Sequence, residues 1–136
     1  MAQNTAQNTA TARYSEDGFQ TALEAHRQGA LDNAVAGYRR TVAEMPQHVD
    51  AWGNLCVAYL ALGRAEEAVA AGRKALALRP DMAELHINVA AALKSLGQLV
   101  EARRALEQAI ALQPASAPAH INLGNVLRAA GQADAA

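Results

Sequence analysis

The apolar positions after residue 14 gather into short runs, such as Ala75-Leu76-Ala77-Leu78 and Ala109-Ile110-Ala111-Leu112, each followed closely by a proline. Glycines in Leu-Gly-Arg, Leu-Gly-Gln and Ala-Gly-Gln settings divide the other runs. Runs of helical length bounded by such breakers predict helices over 16–28, 31–45, 49–62, 65–79, 83–96, 99–113 and 117–130. Asp81 with Glu84, and Ser116 before Pro118, read as helix starts, because a short polar side chain satisfies the free N–H groups of a first turn. The opening stretch MAQNTAQNTATA has no such patterning and holds Ala-Gln-Asn-Thr twice in succession. Small and polar, it lacks the apolar surface to offset its ordering entropy, which predicts a disordered tail over residues 1–14.

The breakers repeat every 34 residues, as Pro46, Pro80 and Pro114 and as Gly29, Gly63, Gly97 and Gly131. Ala34, Ala68, Ala102 and Ala136 keep the same interval, and so do Asn54, Asn88 and Asn122 with Leu55, Val89 and Leu123 after them. Trp52, His86 and His120 share one phase. A period of this length is the mark of stacked supersecondary units. Proline cannot extend a helix and closes each unit. Glycine reaches the left-handed conformation that reverses the chain between antiparallel helices. The alanine after it lets those helices approach. The reading divides residues 15–136 into units 15–48, 49–82 and 83–116 and a truncated unit 117–136, with Gly131 at the turn phase; an eighth helix would begin near Ala133, but the sequence stops.

Trp52-x-x-Leu55-Cys56-x-x-Tyr59, followed by Gly63, Ala68, Ala75 and Pro80, resembles the tetratricopeptide repeat with its W-x-x-L-G-x-x-Y, A, A, P signature. The unit from Ala83 to Ser116 is similar through Leu93, Gly97, Ala102, Leu106, Ala109 and Pro114. The resemblance covers nearly everything after residue 14. It implies a right-handed α-α superhelix of antiparallel helix pairs, a solenoid whose first helices line a concave groove. Gly72 departs from the pattern, standing where Tyr38 and Leu106 stand elsewhere, so loose packing is expected there. Solenoids close with a polar cap, yet Leu123 and Leu127 sit on the last helix. A native chain that continues is the favoured explanation, and self-association through Leu123 and Leu127 the corollary.

Composition narrows the function. The chain has 136 residues, 51% hydrophobic but 4% aromatic, with a formal net charge of −1. Nucleic-acid binders draw affinity from a basic field that is missing here. The single cysteine, Cys56, excludes an internal disulfide. No apolar run nears the roughly 20 residues of a membrane span, and the N-terminus lacks a secretory pattern, so a cytoplasmic protein is expected. There is no phosphate loop, no His-Glu-x-x-His and no cysteine pair of metal spacing. Zinc needs three or four ligands, and His86 and His120 are read as flat rings packed between helices. Cys56 is read as a buried filler. Arg39-Arg40, Arg73-Lys74 and Arg103-Arg104 are read as outward-facing. No cofactor and no catalysis are expected.

A partner protein or extended peptide is the expected ligand. Asn54, Asn88 and Asn122, with Gln20 in the matching place of the first unit, offer a donor and an acceptor each, the complement of a peptide backbone. The arrangement is similar to the asparagine ladder of O-linked N-acetylglucosamine transferases. Glu84, Lys94, Asn125 and Arg128 complete the candidate groove residues, and Phe19 and Leu23 are placed on the same face. The resemblance also implies where a chaperone-type carboxylate clamp would lie: Phe19, Leu23, Asn54, Glu84 and Asn88, of which only one Asn matches. The acids Glu16, Asp50 and Glu84 favour a neutral or basic partner. The leading function is a protein–protein interaction scaffold. The alternative is the recognition arm of a larger bacterial glycosyltransferase or sulfotransferase.

Overall fold

The computed structural model describes residues 16–135, with side chains as far as Gln132. The expected tail and Ala136 lie outside the described residues. Seven helices follow one another: α1 over 16–27, α2 Leu31–Glu44, α3 Val49–Ala61, α4 Ala65–Leu78, α5 Ala83–Ser95, α6 Leu99–Leu112 and α7 Ala117–Ala135. No strand occurs among the described residues. From α1 to α6 each helix starts on the expected residue and stops one residue earlier than expected. Helix α3 pairs with α4 and α5 with α6, while α2 packs on α3, α4 on α5 and α6 on α7. Contacts also run from α3 to α5 and from α5 to α7, which stacks the first helices of successive units along one face. The chain is an all-α solenoid.

The glycine turn works as expected at three of its four places. Gly63 has φ +75°, its N–H bonds the Leu60 carbonyl at 3.0 Å, and the Arg64 N–H reaches back to the Tyr59 carbonyl at 2.8 Å. This pair of bonds satisfies carbonyls that the end of α3 leaves open, in the Schellman arrangement. Gly29 and Gly97 repeat the positive φ. Gly131 does not, and the expected turn there, with a last helix ending at 130, is corrected: α7 runs through Gly131 to Ala135. A glycine inside a helix costs only about 1 kcal/mol. It reverses the chain where a following helix packs back, and no such helix is formed in residues 132–135.

The rings at the Trp52 phase also differ from expectation. The Trp52 Nε1–H donates to the Pro46 carbonyl at 2.8 Å, His86 Nε2 to the Pro80 carbonyl at 2.9 Å, and His120 Nε2 to the Pro114 carbonyl at 2.8 Å. Trp52 and His86 are half-buried and His120 is exposed. These rings latch the inter-unit loop, Trp52 while also packing against the core. A carbonyl past a helix end lacks an intrahelical donor, and the ring N–H supplies one. Both histidines therefore carry a hydrogen on Nε2.

Helix starts are mixed. Ser116 Oγ accepts the Ala119 N–H at 3.3 Å as expected. Asp81 does not cap α5, whose N-cap is Met82, and turns instead to Arg79 at 3.5 Å. His48 Nδ1 caps α3 by accepting the Ala51 N–H at 3.1 Å.

In the core, Ala34, Ala68 and Ala102 are wholly buried at the helix crossings, as are Tyr38 and Leu106. Loose packing at Gly72 is corrected: a Cβ there would strike the Val89 side chain and stand 3.2 Å from Cys56 Sγ. Val89 of α5 and Cys56 of α3 stand where a side chain at this position would lie. The absent side chain is used for close approach.

Candidate functional site

Spacing of 34 residues places the asparagines on the stacked first helices, but the structure brings only two of them together. Asp50, Asn54 and Val57 of α3 face Glu84 and Asn88 of α5 across a cleft of about 70 Å³ floored by Gly53 and Leu85. Gly53 keeps the approach to α5 open, since a Cβ would stand 3.1 Å from Leu85 Cδ2 and Leu85 would have to give way slightly. A second hollow of about 590 Å³ opens where Glu84, Ile87 and Asn88 meet Ser116 and Pro118 at the start of α7. Asn88 and Glu84 line both.

Among the described residues the Asn54 and Asn88 carboxamides make no hydrogen bond, so a donor pair and an acceptor stand free on each. Asn122 differs: its Nδ2–H donates to the Pro118 carbonyl at 2.9 Å, and it lines neither cleft. Gln20 is exposed on α1, Asn125 is half-buried on α7, Lys94 is exposed near the end of α5 and Arg128 is exposed past the middle of α7. The cleft rim is acidic, with Asp50 and Glu84 exposed and in no ion pair among the described residues. Glu16 is engaged by His48 Nε2 at 3.0 Å.

Phe19 was placed on this face by phase, and the structure corrects that. Its ring is 6% exposed and lies 4.4 Å from the His48 ring and 5.9 Å from Tyr38, centroid to centroid. Helix α1 has α2 and the start of α3 to cover, and Phe19 is the side chain that does it. Leu23 packs against the core beside it. At the other end Leu123 also packs against the core, whereas Leu127 is 49% and Ile121 64% exposed.

The buried titratable groups are tuned for inertness. Burial pushes the Cys56 thiol up to about 11, against a smaller opposing hydrogen bond from the Gly72 backbone. The thiol stays protonated at neutral pH, unlike a nucleophilic cysteine. Burial likewise raises Tyr38 to about 12, and its hydroxyl lies 2.9 Å from His26 Nδ1. No group of three or more His, Cys, Asp or Glu among the described residues is arranged to hold a metal ion. No described helix is long and apolar enough to cross a membrane.

Sequence reasoning missed the His48 cap and the ring latches. The constant six-residue interval from each proline to the ring after it was the available signal for the latches.

Comparison with known proteins agrees with this architecture. A tetratricopeptide repeat model matches residues 25–71 and a TPR repeat model residues 90–131. No curated protein matches the chain. The first TPR domain of human RPAP3 superposes with a TM-score of 0.85 at 21% identity, over 92% of this chain and 98% of that one. The first TPR of Spaghetti (RPAP3), bound to the HSP90 peptide SRMEEVD, gives 0.84 at 22% identity over 88% and 95%. The second TPR domain of human RPAP3, with the HSP70 peptide SGPTIEEVD, gives 0.80 at 23% over 88% and 97%.

Proposed function

Since the chain is an all-α solenoid of tetratricopeptide repeats, we propose that it is a protein-interaction scaffold holding an extended partner peptide on its stacked first helices. The observation that carries the reading is the pair of unengaged carboxamides, Asn54 and Asn88, in one cleft between α3 and α5. A carboxamide matches the alternating N–H and C=O of an extended backbone. Repeated at the stacking interval, such groups hold a chain with little regard to its side chains. Gln20, Asn122 and Asn125 extend the line, with Asn122 the weaker contributor because its own helix already uses one of its hydrogens. Lys94 and Arg128 flank it.

The bound peptide is neutral or basic. Both peptides named for the RPAP3 domains end in acidic Glu-Glu-Val-Asp. In this chain Asp50 and Glu84 rim the cleft, while Phe19 and Leu23 are packed inward where a cationic clamp would need Lys or Arg. Like charges across an interface select against such a ligand.

The test is an array of unbiased peptides probed with wild type and with Asn54→Ala/Asn88→Ala. We expect the double variant to lose about tenfold or more in affinity across different sequences, since each lost hydrogen bond is worth about 0.5–1.5 kcal/mol. Adding Asn122→Ala changes less. Retained binding by the folded double variant rules the reading out.

A further inference from the structure

We propose a second, separate binding site, for a small apolar carboxylate, on the side of the second helices. A cavity of about 400 Å³ lies between α2 and α4 with α3 as its floor. Such a volume suits one small molecule rather than a chain segment. Val42, Leu55, Tyr59 and Trp52 wall it, and Trp52 is held in place by its bond to the Pro46 carbonyl. The walls are thus apolar, and the indole among them is held before any ligand arrives.

The rim is cationic. Three charged residues border the cavity besides the walls: Arg39, Lys74 and Glu67. Glu67 is taken up by Arg64, whose Nε and Nη2 reach its two oxygens at 2.7 Å each. The neighbouring Arg73 is turned to Glu101 at 3.0 Å. Arg39 and Lys74 enter no ion pair among the described residues. An apolar pocket with two unengaged cations at its mouth complements a hydrocarbon or aryl body carrying one carboxylate.

The cavity also has a sequence cause. Position 70 on α4 is alanine, whereas Arg104 occupies the same phase of the next unit, and Trp52 is replaced there by His86. Small Ala70, with Ala43 and Ala71, leaves the hollow open.

Trp52 is the chain's only tryptophan, so its emission reports occupancy. Octanoate is expected to shift that emission saturably, with 1-octanol binding about tenfold more weakly for want of the charge, and octylammonium giving no saturable shift. Ala70→Arg, carrying the residue found at Arg104, should abolish the octanoate response without changing circular dichroism or melting. Arg39→Gln/Lys74→Gln should bring octanoate down to the level of 1-octanol, an arm that stands whether or not Ala70→Arg folds. Asn54→Ala/Asn88→Ala should leave the response intact, which separates this site from the peptide cleft. The proposal is overturned by equal binding of octanoate and 1-octanol to wild type, by a saturable octylammonium shift, or by an octanoate response that survives Ala70→Arg in a folded protein.

Discussion

At Gly72 the missing side chain lets three helices approach closely, because Val89 and Cys56 stand where its Cβ would lie. Gly72→Ala would gain about 1 kcal/mol of helix propensity but force Val89 aside, and overpacking a tight core costs about 1–3 kcal/mol. A net loss of up to about 2 kcal/mol in urea unfolding is expected. Gly72→Ala/Val89→Ala should cost less than the two changes added, since the second makes room for the first. A stabilised Gly72→Ala would show that the contact is slack. The same packing sets an alkaline limit. Cys56 is raised from 9.0 to about 11 and Tyr38 from 10.0 to about 12, both by burial. A raised folded value favours the protonated form, so the stabilisation is complete below pH 9 and is lost as pH climbs through 11 and 12. Unfolding free energy followed from pH 8 to 12 should fall, and Cys56→Ala should remove the lower part of that fall.

Among the elements, the ones legible in the sequence were those whose cause is local. Proline ends a helix and glycine reverses it through their own backbone restrictions, so α1 to α6 begin where the pattern places them. What depends on a neighbour was not legible. Gly131 stays helical where, among the described residues, no following helix packs back on α7, and Phe19 turns from the groove to the core because α2 and His48 lie beneath it. Of the asparagine series, phase alone ranked three residues equally, but a side-chain bond to Pro118 sets Asn122 apart from Asn54 and Asn88. The ring latches sit between these cases: their interval is in the sequence, their hydrogen bond is not. His86→Phe keeps a flat ring and removes the donor to Pro80. It should cost about 0.5–1.5 kcal/mol, the worth of one such bond, measured by chemical denaturation. A variant as stable as wild type would mean that the ring alone matters.

Across the whole molecule, stability in a stacked array is the sum of each unit and its interfaces with its neighbours. Helices α3, α4 and α5 have packed partners before and after them, while among the described residues α7 packs on α5 and α6 and leaves Leu127 exposed. Native-state hydrogen exchange at low concentration should therefore be slowest in α3 to α5 and markedly faster in α7, where local opening sacrifices fewer contacts. We propose self-association through the exposed part of α7, where a second copy of this chain would cover Leu127. Leu127 is the residue to carry it, since Leu123 already packs inward. Raising the protein concentration should slow exchange in α7 selectively and increase the sedimenting mass. Leu127→Gln should abolish both changes while leaving α3 to α5 as protected as before. Exchange in α7 that is indifferent to concentration rejects the end-to-end contact, and protection as strong in α7 as in α4 rejects the additive picture itself.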